Sequence, residues 1–263
     1  SRGMTVLTIG EVATDRTVLQ IGGADRVAFL QGLVTSDVTR GGLIWAALLT
    51  PQGKYLFDFF LLDQGDTFLL DVQSNVADAL MQRLTMYRLR AAVTIEATDM
   101  PVARGLSDAP GPTLPDQCYP DPRHPDLGWR AYGLIGGPPT IDWDAIRVTH
   151  CIPETGVELI ANDSYPLETG FERLSGVDFR KGCYVGQEVT ARMKHKTALR
   201  KGLAVVDVQG DAPVGSELLC DGKPAGTLFT QSGGRAIAYL RFDRATAAMR
   251  AGDATVTWSG GHR

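Results

Sequence analysis

The most distinctive segment of this chain reads Lys181-Gly182-Cys183-Tyr184-Val185-Gly186-Gln187-Glu188. A cation two residues from a cysteine can lower the pKa of the thiol and make the sulfur more nucleophilic. Flanking glycines let the backbone approach a ligand or take turns that other residues avoid. If a helix opens within the segment, Cys183 and Gln187 share one face of it. The pattern predicts a reactive Cys183 supported by Lys181, and a buried structural cysteine is the alternative.

This octapeptide closely resembles the signature of the YgfZ-type folate-binding proteins, which are relatives of the glycine-cleavage aminomethyltransferase, or T-protein. The resemblance extends over essentially the whole chain through residues 29–38, 49–54, 165–168 and 222–227. It implies an α+β fold in which antiparallel sheets and helices form a multi-subdomain ring around a central folate channel. It also implies a small all-β barrel at the C-terminus.

The hydrophobic pattern predicts the same kind of architecture. Three β-prone runs at 44–50, 55–62 and 67–72, separated by turn residues, indicate an antiparallel meander that is followed by a helix from Ser74 and a strand at 91–97. Asp25 is expected to cap an earlier helix, and 141–146 to form a short one. After Lys201 the pattern becomes all-β, as in a small barrel or sandwich.

The patterns and the resemblance together predict two regions. The resemblance implies that residues 4–198 form a folate-binding region of two subdomains, and the prolines indicate a surface connection between them at about 101–139. Residues 199–263 are expected to form the C-terminal barrel domain.

Charge and hydropathy exclude several classes of protein. The chain has 263 residues, with 26 basic and 30 acidic side chains and a net charge of −4. Because a sequence-independent nucleic-acid binder needs a basic face, no direct nucleic-acid partner is predicted. Apolar runs are too short to cross a bilayer, so no membrane partner is predicted. The first residues show neither a secretory nor a transit pattern, and a cytosolic location is expected.

The metal-ligating residues are scattered. The four cysteines form no Cys-X-X-Cys motif, and no pair among the four histidines has the spacing of metal ligands. The sequence therefore predicts free thiols in a reducing compartment and no built-in metal or iron–sulfur site.

The resemblance also implies a cofactor, tetrahydrofolate or another reduced folate. Glu168 corresponds to the pterin-binding glutamate of the T-proteins, and a carboxylate can accept hydrogen bonds from two adjacent pterin donors. Arginine forks suit the carboxylates of a folate tail. The further candidate cofactor-binding residues are Asp58, Tyr184, Gln187, Glu188, Arg147, Arg192 and Arg200.

One position departs from the T-protein pattern. The T-proteins carry Gly-Gly-Ile-X-Asp-Asp, whereas this chain has Phe57 and Asp58 in the places of the two acids. Asp58 is the single charged residue among residues 55–62. It faces either a polar channel or the water-exposed side of its strand, because an unpaired carboxylate inside an apolar strand is costly.

Three functions remain open at this stage. The preferred one is a tetrahydrofolate-binding factor that assembles or repairs iron–sulfur clusters in client enzymes, with assembly proteins as further partners, and the resemblance also suggests a link to tRNA modification. In it Cys183 is the essential thiol, held as thiolate by Lys181. The alternatives are a folate-dependent aminomethyltransferase or demethylase and a non-enzymatic folate-sensing adaptor. A hydrolase built on Cys183 and His195 lacks an orienting acid.

Overall fold

The computed structural model describes residues 5–106, 117–196 and 198–260. Its elements fall into two compact units that alternate along the chain. The first unit comprises Ser1–Leu49, Leu56–Ile141 and Arg173–Val185, and the second comprises Thr50–Tyr55, Asp142–Glu172 and Gly186–Arg263. Among the described residues, no helix has the combination of length and apolarity that a membrane span requires.

The helices are short and the strands numerous. The helices are α1 Arg26–Gln31, α2 Ala77–Arg88, α3 Trp143–His150 and α4 Gln187–His195. The strands are β1 Thr5–Val12, β2 Arg16–Gly22, β3 Leu43–Leu49, β4 Tyr55–Asp63, β5 Phe68–Gln73, β6 Thr94–Ala97, β7 Val102–Gly105, β8 Cys118–Pro120, β9 Trp129–Tyr132, β10 Leu134–Gly137, β11 Lys201–Gln209, β12 Ser216–Cys220, β13 Lys223–Ser232, β14 Arg235–Arg241, β15 Met249–Ala251 and β16 Ala254–Thr257.

The predicted meander forms the centre of one sheet in the first unit. The strand order is β3-β4-β5-β2-β6, and β5 pairs antiparallel with both β4 and β2. Leu30 of α1 and Leu80 and Leu84 of α2 share a core with Phe57 and Phe59 of β4. The strand and helix predictions for 44–97 are therefore confirmed, with α2 starting at Ala77 after a single 3₁₀ turn and the last strand starting at Thr94 instead of Ala91.

The prediction for residues 101–139 is wrong. Rather than a surface connection, its described parts, 101–106 and 117–139, supply β7 to β10 of a second sheet in the first unit, with the order β10-β1-β7-β9-β8. The described prolines of this stretch are compatible with a sheet because they lie where no ladder donor is needed. Pro120 ends the edge strand β8, and Pro125 lies at the start of a 3₁₀ turn.

Buried charges tie the first unit together internally. Asp71 of β5 accepts hydrogen bonds from Arg16 Nε at 2.6 Å, from Arg130 Nη2 at 2.9 Å and from the Tyr132 hydroxyl at 2.7 Å. Arg130 and Tyr132 belong to β9 of the second sheet, so the carboxylate joins both sheets. Although burial alone raises the pKa of Asp71, the two guanidinium groups reverse the effect and hold that pKa far below its usual range.

The second unit is organised around a closed barrel. Six strands follow the order β11-β14-β13-β12-β15-β16, which confirms the predicted C-terminal barrel, although the short strand β15 gave no sequence signal. The predicted Asp221-Gly222 turn joins β12 to β13, and both residues have positive φ, of 51° and 75°.

Two predicted helix boundaries are corrected. The helix predicted at 141–146 is α3, which begins at Trp143 because the Asp142 side chain accepts the amide hydrogen of Ala145. Asp25 does not cap α1 through its side chain. Its carboxylate instead accepts the amide hydrogen of Ala92 at 2.7 Å, a residue that follows α2.

Candidate functional site

Cys183 lies on an irregular loop of the first unit, just before α4. The helix begins at Gln187, and Gly186 precedes it with φ of 82°, a conformation that favours glycine. Cys183 and Gln187 therefore do not share a helix face, contrary to the prediction. Cys183 is exposed, whereas Cys118, Cys151 and Cys220 are buried. The thiol of this loop is thus the one that a partner molecule can reach.

Lys181 fixes this loop to the first unit. Its Nζ donates to the backbone carbonyl oxygens of Gln31 at 2.8 Å, Val34 at 2.5 Å and Ser36 at 3.0 Å. Burial lowers the pKa of Lys181 to about 8 despite the attraction of Asp37 and Asp178. Gln31 ends α1, and Val34 and Ser36 follow it. The ammonium group therefore supplies donors to carbonyl groups at and just beyond the C-terminus of this helix.

Lys181 is therefore a positioning residue. A lysine ammonium has three hydrogen atoms to donate, and the three carbonyl bonds use all of them. The prediction that Lys181 holds the Cys183 thiolate is corrected in this respect, because no hydrogen remains to be donated to the sulfur. Tyr184 is also part of this anchor: it is 7% exposed, and its ring centroid lies 5.1 Å from Lys181 Nζ. Its ring packs the loop instead of presenting a ligand contact.

A second set of bonds joins residues 29–38 to the segment before the loop. The Thr35 hydroxyl donates to the Gly176 carbonyl at 2.6 Å, and the Asp178 amide donates to the Thr35 carbonyl at 2.9 Å. Arg40 pairs with the Asp178 carboxylate at 2.8 Å. Hydrogen bonds and an ion pair therefore join residues 35–40 to residues 176–178, which directly precede the Cys183 loop.

A separate cavity lies within the second unit. Its volume is about 640 Å³. The residues that line it are Tyr165, Glu168, Met193, Lys196, Ala198, Leu199, Arg200, Lys201 and Tyr239. Among these described residues the lining combines three cations, one carboxylate and several apolar or aromatic side chains. Such a lining suits a ligand with an aromatic body and an anionic end.

Glu168 is held in this cavity by Tyr239 of β14. The tyrosine hydroxyl donates to Glu168 Oε1 at 2.8 Å. Burial raises the pKa of Glu168, although the hydrogen bond from Tyr239 and the charges of Lys201 and Lys196 act in the opposite direction. Burial and the bond to Glu168 both raise the pKa of Tyr239, so the phenol keeps its proton and acts as the donor.

The backbone around Glu168 is fixed by the start of the barrel. The Leu203 amide donates to the Glu168 carbonyl at 2.9 Å. A side chain at Gly202 would approach this carbonyl within 3.0 Å, so the close contact requires the small residue. The turn of residues 50–54 belongs to the same unit, and Lys54 Nζ lies 5.9 Å from the ring centroid of Tyr165. Gly53 packs there against Val189 of α4. A Cβ atom added to Gly53 would lie 2.7 Å from the Cβ atom of Val189, so this close packing requires glycine.

The other predicted cofactor contacts are distributed differently. Arg200 lines the cavity and is exposed. Gln187, Glu188 and Arg192 lie on α4 of the same unit and are not part of the described lining.

Arg147 is not available to a ligand, which corrects its predicted role. It is 6% exposed and donates to Glu158 Oε1 at 2.8 Å, to the Thr230 hydroxyl at 2.8 Å and to the Ile152 carbonyl at 2.9 Å. Asp144 accepts a further bond at 3.0 Å. The guanidinium therefore connects α3 with the barrel strand β13, which is a structural function.

Asp58 is buried inside the first unit. It is 5% exposed and accepts a hydrogen bond from Trp45 Nε1 at 3.1 Å. All residues from Tyr55 to Leu62 are buried, so the alternative of a water-exposed strand face is wrong. Trp45 supplies the polar partner that lets a carboxylate occupy an apolar strand.

Three residues that line the cavity were not predicted from the sequence: Tyr239, Lys196 and Lys201. Tyr239 had a usable signal, because it is the one aromatic residue, with a polar hydroxyl, in the strand from Arg235 to Arg241. Lys196 belongs to a basic cluster that looks like an ordinary solvated turn.

Comparison with known proteins places these features in context. Residues 200–260 match the family described as the CAF17 C-terminal beta-barrel domain. The whole fold is similar to the glycine cleavage system aminomethyltransferase T from Bartonella henselae, with a TM-score of 0.73 over 96% of this chain and 85% of that chain. At 13% sequence identity this likeness shows the fold alone. It confirms the predicted aminomethyltransferase-like architecture.

Sequence relatives carry more specific names. The chain is 33% identical over 71% of its length to the mitochondrial iron–sulfur cluster assembly factor IBA57 homolog of Mycosarcoma maydis, and it spans 54% of that protein. It is 31% identical over 75% of its length to mouse mitochondrial IBA57, of which it spans 66%. The human IBA57 protein is 29% identical over 86% of this chain and is covered over 75% of its own length.

These similarities support the coarser part of the predicted resemblance. The chain is similar to iron–sulfur cluster assembly factors of the IBA57 type, with an aminomethyltransferase fold and a CAF17-type barrel. They do not single out the YgfZ branch. The predicted cytosolic location is wrong by the same comparison, since the fungal, mouse and human relatives are all named as mitochondrial proteins. The absence of a transit pattern in the first residues was insufficient ground for that prediction.

Proposed function

We propose that this protein acts in the assembly or repair of iron–sulfur clusters in client proteins, with Cys183 as its working thiol. The observation that carries the proposal is the exposed Cys183 on a loop that Lys181 anchors through three backbone carbonyls. The names of the similar fungal, mouse and human proteins supply the biological context. A thiolate is the ligand that iron–sulfur clusters require.

Cys183 alone cannot supply all the ligands of a cluster. A [2Fe–2S] or [4Fe–4S] cluster ordinarily takes four cysteine ligands. Cys118, Cys151 and Cys220 are buried, so this chain offers one accessible thiol. The proposal therefore places Cys183 as one ligand to cluster iron while an assembly protein or a client enzyme supplies the others. The rigid support of the loop keeps the sulfur in a defined position for this exchange.

The proposal includes a reduced folate, tetrahydrofolate, as the ligand of the cavity in the second unit. Glu168 supplies an acceptor for pterin donors, and Tyr239 orients that acceptor at 2.8 Å. Arg200, Lys196 and Lys201 supply positive charge for a carboxylated tail. A volume of about 640 Å³ is in the range of sites that hold molecules of this size.

The first experiment separates the thiol from the fold. Cells that lack the gene are complemented with wild type, Cys183→Ser, Cys183→Ala or the control Cys118→Ser, and the activities of their iron–sulfur enzymes are measured. Both Cys183 variants are expected to leave those activities at the level of the deletion, whereas Cys118→Ser restores them. Full rescue by Cys183→Ala at equal protein level contradicts the proposal.

The second experiment tests the cavity. Calorimetric titration with tetrahydrofolate is expected to show binding to wild type and weaker binding to Glu168→Gln and Arg200→Ala. Arg192→Ala is the matched control, because that arginine is exposed and lies outside the described lining. Equal affinity of all four proteins contradicts the cavity assignment.

Aminomethyl transfer is the second candidate because the fold is that of an aminomethyltransferase. Two observations count against aminomethyl transfer. Phe57 occupies the place of one acid of the T-protein pattern, and Asp58 is buried against Trp45. Formation of methylenetetrahydrofolate from an aminomethyl donor would favour this candidate.

The folate-sensing adaptor differs in one expected result: Cys183→Ser would still restore the iron–sulfur enzyme activities in the complementation assay. The link to tRNA modification stays a prediction.

A further inference from the structure

An unusual turn follows α2 on the first unit. The Ala91 amide donates to the Arg88 carbonyl at 2.8 Å, which closes a four-residue turn. Leu89 is the first central residue, with φ of 48° and ψ of −113°. These angles are those of a type II′ turn, where glycine is the usual residue. A leucine is strained in this conformation, and such strain is found where a side chain serves a purpose beyond the fold.

The side chain of Leu89 gains no packing from this strain. It is 86% exposed, and Met86, one turn earlier on α2, is 67% exposed. Within the described part of the chain these are the two most exposed large hydrophobic residues. Met86 also lines an open groove of about 720 Å³ along α2, together with Asp78, Ala79, Met81, Gln82 and Thr85. Met86 thus connects the turn with a groove whose lining is partly apolar and partly polar.

The sequence around this apolar tip is rich in arginine. Residues 79–93 contain Arg83, Arg88 and Arg90 and no aspartate or glutamate, in a chain whose net charge is −4. Asp78, at the start of α2, is the one charged residue in the described lining of the groove. Among the described ion pairs, none involves these three arginines. Arg90 is exposed and Arg83 and Arg88 are partly exposed, so a molecule that binds there can reach these guanidinium groups.

We propose that the Leu89 turn and the α2 groove form a docking surface for an acidic polypeptide segment that carries apolar side chains. Leu89 and Met86 contact the apolar side chains of that segment, and the arginines pair with its carboxylates. A second copy of this chain is a poor occupant, because the same three cations would face each other across a two-fold interface. The inference concerns a different surface from Cys183 and does not depend on the iron–sulfur role.

The test uses a defined peptide and a substitution that should not harm the fold. A short fluorescein-labelled peptide alternates pairs of glutamate or aspartate with leucine or phenylalanine, and its control carries lysine at every acidic position. Fluorescence anisotropy is expected to show binding of the acidic peptide, weakened by salt. Leu89→Gly is expected to reduce its affinity about tenfold. Because glycine accepts positive φ, this variant should unfold at the same or a higher temperature than wild type.

Matched variants complete the test. Val214→Gly removes another exposed aliphatic side chain, 58% exposed and in the second unit, and should leave binding unchanged. The double variant R83Q/R90Q should weaken binding and reduce its dependence on salt. Equal binding of the acidic and basic peptides, wild-type affinity in Leu89→Gly, or no binding of the acidic peptide overturns the proposal. A dimer that light scattering detects in wild type and not in Leu89→Gly also overturns it, in favour of self-association.

Discussion

The Tyr239 hydroxyl donates to Glu168 Oε1 at 2.8 Å and thereby links a strand of the barrel to the carboxylate of the cavity. The two residues are 71 positions apart in the sequence. Burial raises the pKa of Glu168, and the bond from Tyr239 limits the rise by stabilising the charged form. Removal of the Tyr239 hydroxyl should therefore raise the pKa of Glu168 further.

Folate affinity should depend on the ionisation of Glu168. Because the charged carboxylate is the better acceptor for pterin donors, affinity is expected to rise as the pH rises through the pKa of Glu168. Tyr239→Phe removes the donor and should move the midpoint to higher pH. Calorimetric titrations with tetrahydrofolate over a pH series measure both midpoints, and identical midpoints would show that Tyr239 does not control this carboxylate.

The same shift predicts a stability effect. Between the ordinary pKa of 4.5 and the raised value, the folded chain holds a proton that the unfolded chain has released. The contribution of Glu168 to the free energy of unfolding should therefore fall as pH rises through that window. Glu168→Gln should remove this dependence, as measured by urea unfolding at several pH values.

Replacement of Lys181 by methionine should loosen the Cys183 loop. The change leaves the carbonyls of Gln31, Val34 and Ser36 without their donor, which should cost about 1–3 kcal/mol of unfolding free energy. Lys194→Met is the control, because Lys194 pairs with Glu172 on the surface and such pairs contribute about 0–1 kcal/mol. Equal losses in the two variants would argue against the anchoring role.

Lys181 should also leave a signature at alkaline pH. Its pKa is lowered from 10.5 to about 8, so between these values the unfolded chain holds a proton that the folded chain lacks. Its contribution to the unfolding free energy should consequently rise with pH over that window. Urea unfolding of wild type and Lys181→Met between pH 8 and pH 10.5 should show this slope in wild type and lose it in the variant.

Thiol counting tests the exposure of Cys183. In the folded protein a disulfide reagent should modify one thiol rapidly, and all four should react once the chain is unfolded. Cys183→Ser should abolish the rapid phase, whereas Cys220→Ser should preserve it. A rapid phase of more than one thiol, or one that survives in Cys183→Ser, would contradict the assignment.

Replacement of Arg147 should affect stability, whereas replacement of Arg200 should affect folate binding. Arg147→Ala leaves Glu158 buried without its guanidinium and should cost about 3–5 kcal/mol of unfolding free energy. Arg200→Ala should change stability by less than about 0.5 kcal/mol, because the side chain is exposed. It should nevertheless weaken folate binding. Comparison of urea unfolding with calorimetry distinguishes the structural arginine from the one in the cavity.

The sequence alone determined much of the local structure. The meander at 44–72 and the barrel after Lys201 were readable because β-prone runs and turn residues act over a few positions. The octapeptide likewise identified Cys183 as the thiol to consider. The stretch at 101–139 was misread because two of its strands, β7 and β10, pair with the distant strand β1, in which Glu11 lies opposite Arg104 and Thr5 opposite Leu134.

The roles of the individual side chains were decided by the tertiary structure. Lys181 reaches carbonyls 145 to 150 residues away, and Arg147 reaches Thr230 across 83 residues. No local pattern encodes which acceptor a long cationic side chain will meet, because hydrogen bonds and burial depend on segments that only folding brings together. The sequence therefore determined which elements and which reactive residue types are present. Folding decided which of those residues are anchored, which are buried and which stay accessible to a ligand or a partner.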